Sequence, residues 1–224
     1  KKPTLTKKQR HRLRVQQVRR QKIFLTCLFL LIVGCILLRF PKFSGRQEEA
    51  HQINAACEAY RDEVSSEAAQ YDMSDYVDLI LAVMMQESSG QGTDPMQSSE
   101  GAYNARYPQQ PNGITDPSYS ISCGIQELKY ALDKAGCTGP TDLSKIRLAL
   151  QAYNFGADSY FAYLEENGQT VWTAQSAQAF AQMASGGTQR DEDDPLHDPA
   201  GPWDYGDQYY PDHVLRYYHL DNNS

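Results

Sequence analysis

Tyr76-Val77-Asp78-Leu79-Ile80-Leu81-Ala82-Val83-Met84-Met85-Gln86-Glu87 is the stretch on which the fold turns, and Ser88-Ser89-Gly90 follows it directly. Read as a helix, it sets Tyr76, Ile80, Val83, Met84 and Glu87 on one stripe, because residues three and four apart share a face. Ser74 and Asp75 are cap residues at its start, and Gly90 is a stop at its end. A carboxyl group on such a stripe is carried towards a core, where burial disfavours charge and raises its pKa. A general acid working near neutral pH needs that shift. The competing reading is a solvated end residue, unfavourably placed against the helix dipole.

Helical periodicity continues on both sides. Residues 52–70 place Ile53, Ala56, Cys57, Tyr60 and Val64 on one side. Ser122 to Gly136 carries Ile125, Leu128, Leu132 and Ala135 in helical register. Thr141 or Asp142 opens a further helix with Leu143, Ile146, Leu150 and Tyr153 as its buried stripe, ending near Asn154-Phe155-Gly156. Shorter helices are predicted around 157–166 and 174–184, and a last one near Pro211 to His219. Ser88 to Ile121, by contrast, holds four Gly and four Pro without a sustained period. Loops of that length inside a compact domain are usually functional. No alternating strand pattern stands out anywhere, although this loop has room for a short hairpin, so the fold class is mainly α.

Charge divides the chain. Residues 1–22 hold ten Lys/Arg and no acid, whereas from Ser44 onwards nine basic residues face all 28 acidic ones, a balance of −19. Between these blocks Ile23 to Leu38 is uncharged for sixteen residues, closed by Arg39-Phe40-Pro41-Lys42. The pattern predicts a basic cytoplasmic arm over 1–22, a transmembrane signal anchor over 23–40, a linker over 41–51 and an extracytoplasmic domain over 52–220. No small-x-small cleavage site follows the apolar run, and Asn54-Ala55-Ala56-Cys57 lies too far downstream for a lipoprotein signal. The arm has no interleaved aromatics, so topology and anionic lipid explain it better than nucleic acid.

Several chemistries are excluded. The chain has no Gly-x-Ser-x-Gly elbow, phosphate-binding loop, dinucleotide fingerprint or His-Glu-x-x-His, and His51, His197, His213 and His219 are scattered. A hydrolase here has to run on carboxylates. Asp191-Glu192-Asp193-Asp194 matches no calcium loop and reads as solvated surface; no metal or cofactor is expected. Cys57, Cys123 and Cys137 fall outside the span, and a Cys123–Cys137 bridge would bracket one predicted helix.

Four ordered motifs carry a resemblance: Gln86-Glu87-Ser88-Ser89-Gly90, Asp94-Pro95-Met96-Gln97-Ser98-Ser99-Glu100, Ser120-Ile121-Ser122-Cys123-Gly124-Ile125-Gln126, and Gln151-Ala152-Tyr153-Asn154-Phe155-Gly156. Together with Tyr205-Gly206-Asp207-Gln208-Tyr209-Tyr210 near the end, they resemble the bacterial lysozyme-like domain of CwlT-type cell-wall hydrolases. These are distant relatives of goose-type lysozymes and soluble lytic transglycosylases. The likeness spans roughly residues 50–220. Many such relatives also carry a second, Cys/His peptidase domain; the likeness here is to their lysozyme-like part.

The resemblance implies cleavage of the MurNAc-β-1,4-GlcNAc bond of peptidoglycan, with Glu87 protonating the glycosidic oxygen. Asp94 is the candidate second carboxylate, or else a turn-setting residue before Pro95. Glu100 is a candidate for binding substrate or fixing the loop. Gln126, Tyr153 and Asn154 match positions that face the saccharide, and Ser98, Ser99 and Tyr209 are further groove candidates. Lytic transglycosylases, which use the sugar's own 6-hydroxyl, share the fold without needing a second carboxylate. The expected partners are peptidoglycan glycan strands, the membrane through residues 23–40, and the components of a conjugation or type IV secretion machine. A non-catalytic assembly factor that binds glycan is the alternative from another class.

Overall fold

Leu79 to Met84 are six consecutive residues without solvent exposure, so the helix that carries them is a central one, buried on every side. The single apolar stripe expected for it is in fact a full circle. The structure, a computed structural model, describes residues 51–194 and 197–220. In chain order its helices are α1 (Ala55–Glu58), α2 (Arg61–Gln70), α3 (Val77–Glu87), α4 (Pro117–Ala135), α5 (Leu143–Phe155), α6 (Ala157–Glu166), α7 (Ala174–Ala184) and α8 (Tyr210–Leu215). A 3-10 turn over Ser74–Tyr76 leads into α3. The arm 1–22, the apolar run 23–40 and all but the last residue of the 41–51 linker lie outside the described residues. Among those described, no helix is long and apolar enough to cross a membrane.

The helix ends follow local chemistry. Asp116 accepts from the N–H groups of Ser118 and Tyr119, and Pro117 takes the first position of α4, where its missing N–H is no loss. This start lies five residues before the predicted Ser122, because Pro117 opens the helix. Gly136, at φ +70°, ends α4 in the left-handed region that suits glycine. Asp142 caps α5, and Thr173 forms a capping box with Ser176 on α7. The helix expected over 52–70 breaks into α1 and α2; Asn54 caps the Cys57 N–H and donates to the Ser89 carbonyl, tying α1 to the turn after α3. Leu143, predicted on a buried stripe, is 42% exposed at the first position of α5.

Packing places α5 against α4 on one side and against α6 and α8 on the other, while α3 touches α2 and α8. Helix α8 therefore wedges between the end of α3 and the end of α5. Gly124 allows a close approach in the core: a β-carbon there would stand 2.6 Å from Met96 Cβ. The loop after α3 thus lies flat on the backbone of α4. No hairpin forms in that loop; one antiparallel bridge, Gln189 with Trp203, is the only β pairing among the described residues. Cys57, Cys123 and Cys137 are all free thiols. The bracketing disulfide fails on distance, since the helical rise between Cys123 and Cys137 is roughly 20 Å against a limit of about 7 Å.

Candidate active site

Glu87 is the last residue of α3, and Tyr210 the first of α8, 123 positions later. The Tyr210 hydroxyl donates to Glu87 Oε1. Glu87 is half-buried by surface area, with its carboxyl ringed by protein. Burial pushes its pKa up to about 7; the Tyr210 hydrogen bond opposes this, and the negative charges of Asp207, Asp94 and Glu127 add to it. Burial and the neighbouring Glu87 hold the Tyr210 phenol well above its ordinary value, so it stays a donor. One Glu87 oxygen is thereby fixed, and the carboxyl opens on a cleft of about 600 Å³.

Tyr153 and Asn154, in the last turn of α5, hold the two walls of this cleft. The Tyr153 ring stacks on Tyr210 at 6.3 Å, and its hydroxyl donates to the Met96 carbonyl at 2.9 Å. Asn154 Oδ1 accepts from the Asp207 N–H at 2.7 Å. That contact needs Gly206, at φ +49°, where a β-carbon would stand 2.7 Å from Asn154 Oδ1. Asp207 accepts from the Tyr209 N–H at 2.8 Å and pairs with His213 Nδ1 at 2.5 Å, which raises the His213 pKa. One adjacent pair of residues thus fixes both the loop and the C-terminal segment around Glu87.

Asp94 lies inside the loop, 1% exposed. Its Oδ1 accepts from the Ser98 N–H at 3.1 Å and Ser120 Oγ at 2.6 Å; its Oδ2 accepts from the Ser99 N–H at 3.2 Å and from the Ser99 hydroxyl. Ser98 Oγ in turn donates to the Ser120 carbonyl at 2.9 Å. This loop has a polar core, and Asp94 is its hub.

Residues 55–218 match the family described as lysozyme-like. The chain belongs to the lysozyme-like family. It is 36% identical over 173 residues to the bifunctional muramidase/DL-endopeptidase CwlT of Bacillus subtilis, covering 77% of this chain and 43% of that protein. It is 40% identical over 111 residues to the uncharacterized membrane protein YocA of the same organism, covering 50% of this chain and 45% of that one. Among solved structures, a Staphylococcus aureus protein described as similar to a lipoprotein of the NLP/P60 family superposes with a TM-score of 0.64. It is 27% identical, with 78% of this chain and 56% of that chain covered. The chain thus spans less than half the length of the two Bacillus relatives.

The lysozyme-like domain distributes the expected site residues unevenly. Glu87, Asn154 and Tyr209 line the cleft; Tyr153 stands behind Tyr210. Asp94, Ser98 and Ser99 are buried beneath the loop, and Glu100 is exposed outside the cleft lining. Gln126 lies outside that lining too, its amide donating back to the Ser122 carbonyl at 3.1 Å, while Gln97 occupies the cleft instead. Tyr210, Asp207, His213 and Arg216 are cleft residues that the sequence reading did not single out. Gln97, Asp207 and Tyr210 lay inside quoted motifs, so the signal was present but aimed one or two side chains away. A separate hollow of about 500 Å³ near Leu148, Phe161 and Leu164 shares no residue with the cleft. Its Lys134 is already paired with Asp158 at 2.7 Å.

Proposed function

We propose that this chain is a peptidoglycan glycosidase that cleaves the MurNAc-β-1,4-GlcNAc bond with Glu87 as general acid. The observation that carries this is the Glu87 carboxyl, raised to about 7 and opening on a cleft of about 600 Å³. Glu87 gives its proton to the glycosidic oxygen, freeing the GlcNAc O4 as a hydroxyl. The carboxylate left behind then takes a proton from the group that attacks muramic C1. The identity of CwlT as a muramidase supports the same bond. Residues 23–40 anchor the domain to the membrane and residues 1–22 hold the arm inside, which suits local opening of the wall for a conjugation or secretion machine.

The attacking group separates two readings. With water, the product is a reducing muramic end. With the sugar's own 6-hydroxyl, it is a 1,6-anhydro end, one water lighter. Asp94 favours the second route: each of its oxygens already accepts two hydrogen bonds, leaving it poorly placed to activate water. We assign it to positioning the loop. Mass analysis of muropeptides released from purified peptidoglycan tests both. Hydrated ends support the hydrolase and anhydro ends the transglycosylase. Glu87→Gln is expected to lower turnover by about 10²- to 10⁴-fold, the usual contribution of a general acid. Normal turnover by that variant, with either product, removes Glu87 from the mechanism.

A further inference from the structure

The residues 51–220 carry 25 acidic groups against eight Lys/Arg, yet the cleft draws two of those eight, Arg190 and Arg216, together with His197 and His213. Most cations of the domain are neutralised locally: Arg61 pairs with Glu58 and Asp78, Lys134 with Asp158, Arg147 with Asp212, and Arg190 with Asp204. Arg216 is different. It has no carboxylate partner among the described residues. Its Nε donates to the His213 carbonyl at 2.8 Å and its Nη2 to Gln86 Oε1 at 2.8 Å, which fixes the guanidinium beside the end of α3. The acids lining the same cleft do not answer it. Glu87 is bonded to Tyr210, Asp207 to His213, and Asp198 accepts from the Ala200 N–H at 2.8 Å.

An exposed guanidinium held by neutral acceptors, in a domain with three acids for every cation, is a site left open for an anion. His213 stands next to it: its Nδ1 is engaged by Asp207, which turns the other ring nitrogen away from that carboxylate. We infer that Arg216 and His213 form a subsite for a carboxylate carried by the glycan, so that the cleft selects acidic muramyl strands over neutral polysaccharides of the same backbone. This rests on the glycosidase reading and gives its substrate a second chemical requirement. On the substrate side the carboxylate has two sources. One is the lactyl group of a muramic residue stripped of its peptide; the other is an acidic residue of the attached stem. Arg216 approaches through an exposed side chain, so binding costs no large desolvation of the protein.

Binding can be separated from cleavage by using the chain with Glu87→Gln and measuring Kd by titration calorimetry. Four preparations of matched length serve as probes: strands with intact stems, strands stripped to free lactyl carboxylates, and each of these with every carboxylate converted to amide. Amidation is expected to weaken binding about tenfold, the scale of one charge-assisted hydrogen bond. Arg216→Gln added to the same chain should weaken binding to the carboxylate strands by a like factor and abolish the effect of amidation. Loss on stripped strands assigns the lactyl group; loss on stemmed strands alone assigns the peptide. Equal affinity for carboxylate and amide forms overturns the subsite, as does an Arg216→Gln that weakens all preparations alike. If that variant fails to fold, the amidation comparison decides alone. Selective binding by a protein whose parent cuts no strand would overturn the glycosidase reading and leave the subsite standing, and no binding to any preparation overturns both.

Discussion

Glu87 and Asp94 are seven residues apart in sequence, both are carboxylates enclosed by protein, and their surroundings give them opposite work. Glu87 has one donor, Tyr210, and otherwise meets the end of a helix whose residues Leu79 to Met84 are apolar and fully buried. Asp94 has four donors, two on each oxygen. Enclosure with a single donor leaves Glu87 raised by burial, whereas the donors on both oxygens of Asp94 tie it to the loop backbone and serines around it. Burial alone therefore does not distinguish the acid proposed for catalysis from the one assigned to the loop. The number and placement of donors does.

Three substitutions bear on that contrast. Asp94→Asn turns an amide N–H₂ towards donors and should destabilise the domain by about 2–4 kcal/mol, with activity falling as the loop loosens. Chemical denaturation reads the first and turnover below the transition the second; an Asp94→Asn as stable as its parent breaks the contrast. Glu87→Gln should act the other way on stability. Because the folded pKa of Glu87 is raised, its favourable contribution is complete below the unfolded carboxyl value and is lost as pH climbs through about 7. The variant should therefore be more stable than its parent at pH 8, by up to about 3 kcal/mol, and gain little at pH 4. Melting curves at both values decide it. Tyr210→Phe gives the smallest change: losing a bond that holds Glu87 down should move the alkaline limb of the pH–rate profile upward by about one unit or less, and a downward move would reverse the assigned role.

Much of this was legible in the chain, for identifiable reasons. The apolar run from Leu79 to Met85, just before Glu87, is long and unbroken, and helices at 157–166 and 174–184 follow from periodicity bounded by Gly156, Gly168 and Thr173. The loop was legible as a loop and no further. Without a period, nothing in sequence states which way a side chain points, so Asp94 inward and Glu100 outward could not be told apart. The serines that enclose Asp94 come from both sides of the loop, Ser98 and Ser99 close by and Ser120 26 residues on. The tyrosine pair shows the same limit: Tyr209 and Tyr210 are adjacent and chemically identical, and only the start of α8 turns the second towards Glu87. Gln126 and Gln97 exchange places for a similar reason, since Gly124 serves close packing against Met96 instead of presenting its neighbour to the cleft.

The 123-residue span between Glu87 and Tyr210 also sets an order of events. A chain emerging from its N-terminus presents the acid early and its partner almost last. Until α8 seats between α3 and α5, Glu87 has neither its fixed oxygen nor the walls that raise its pKa, and long-range closures of this kind form late in folding. If Glu87 is the acid proposed above, competence to cut depends on docking of the final segment, and a chain clipped before α8 should be inert.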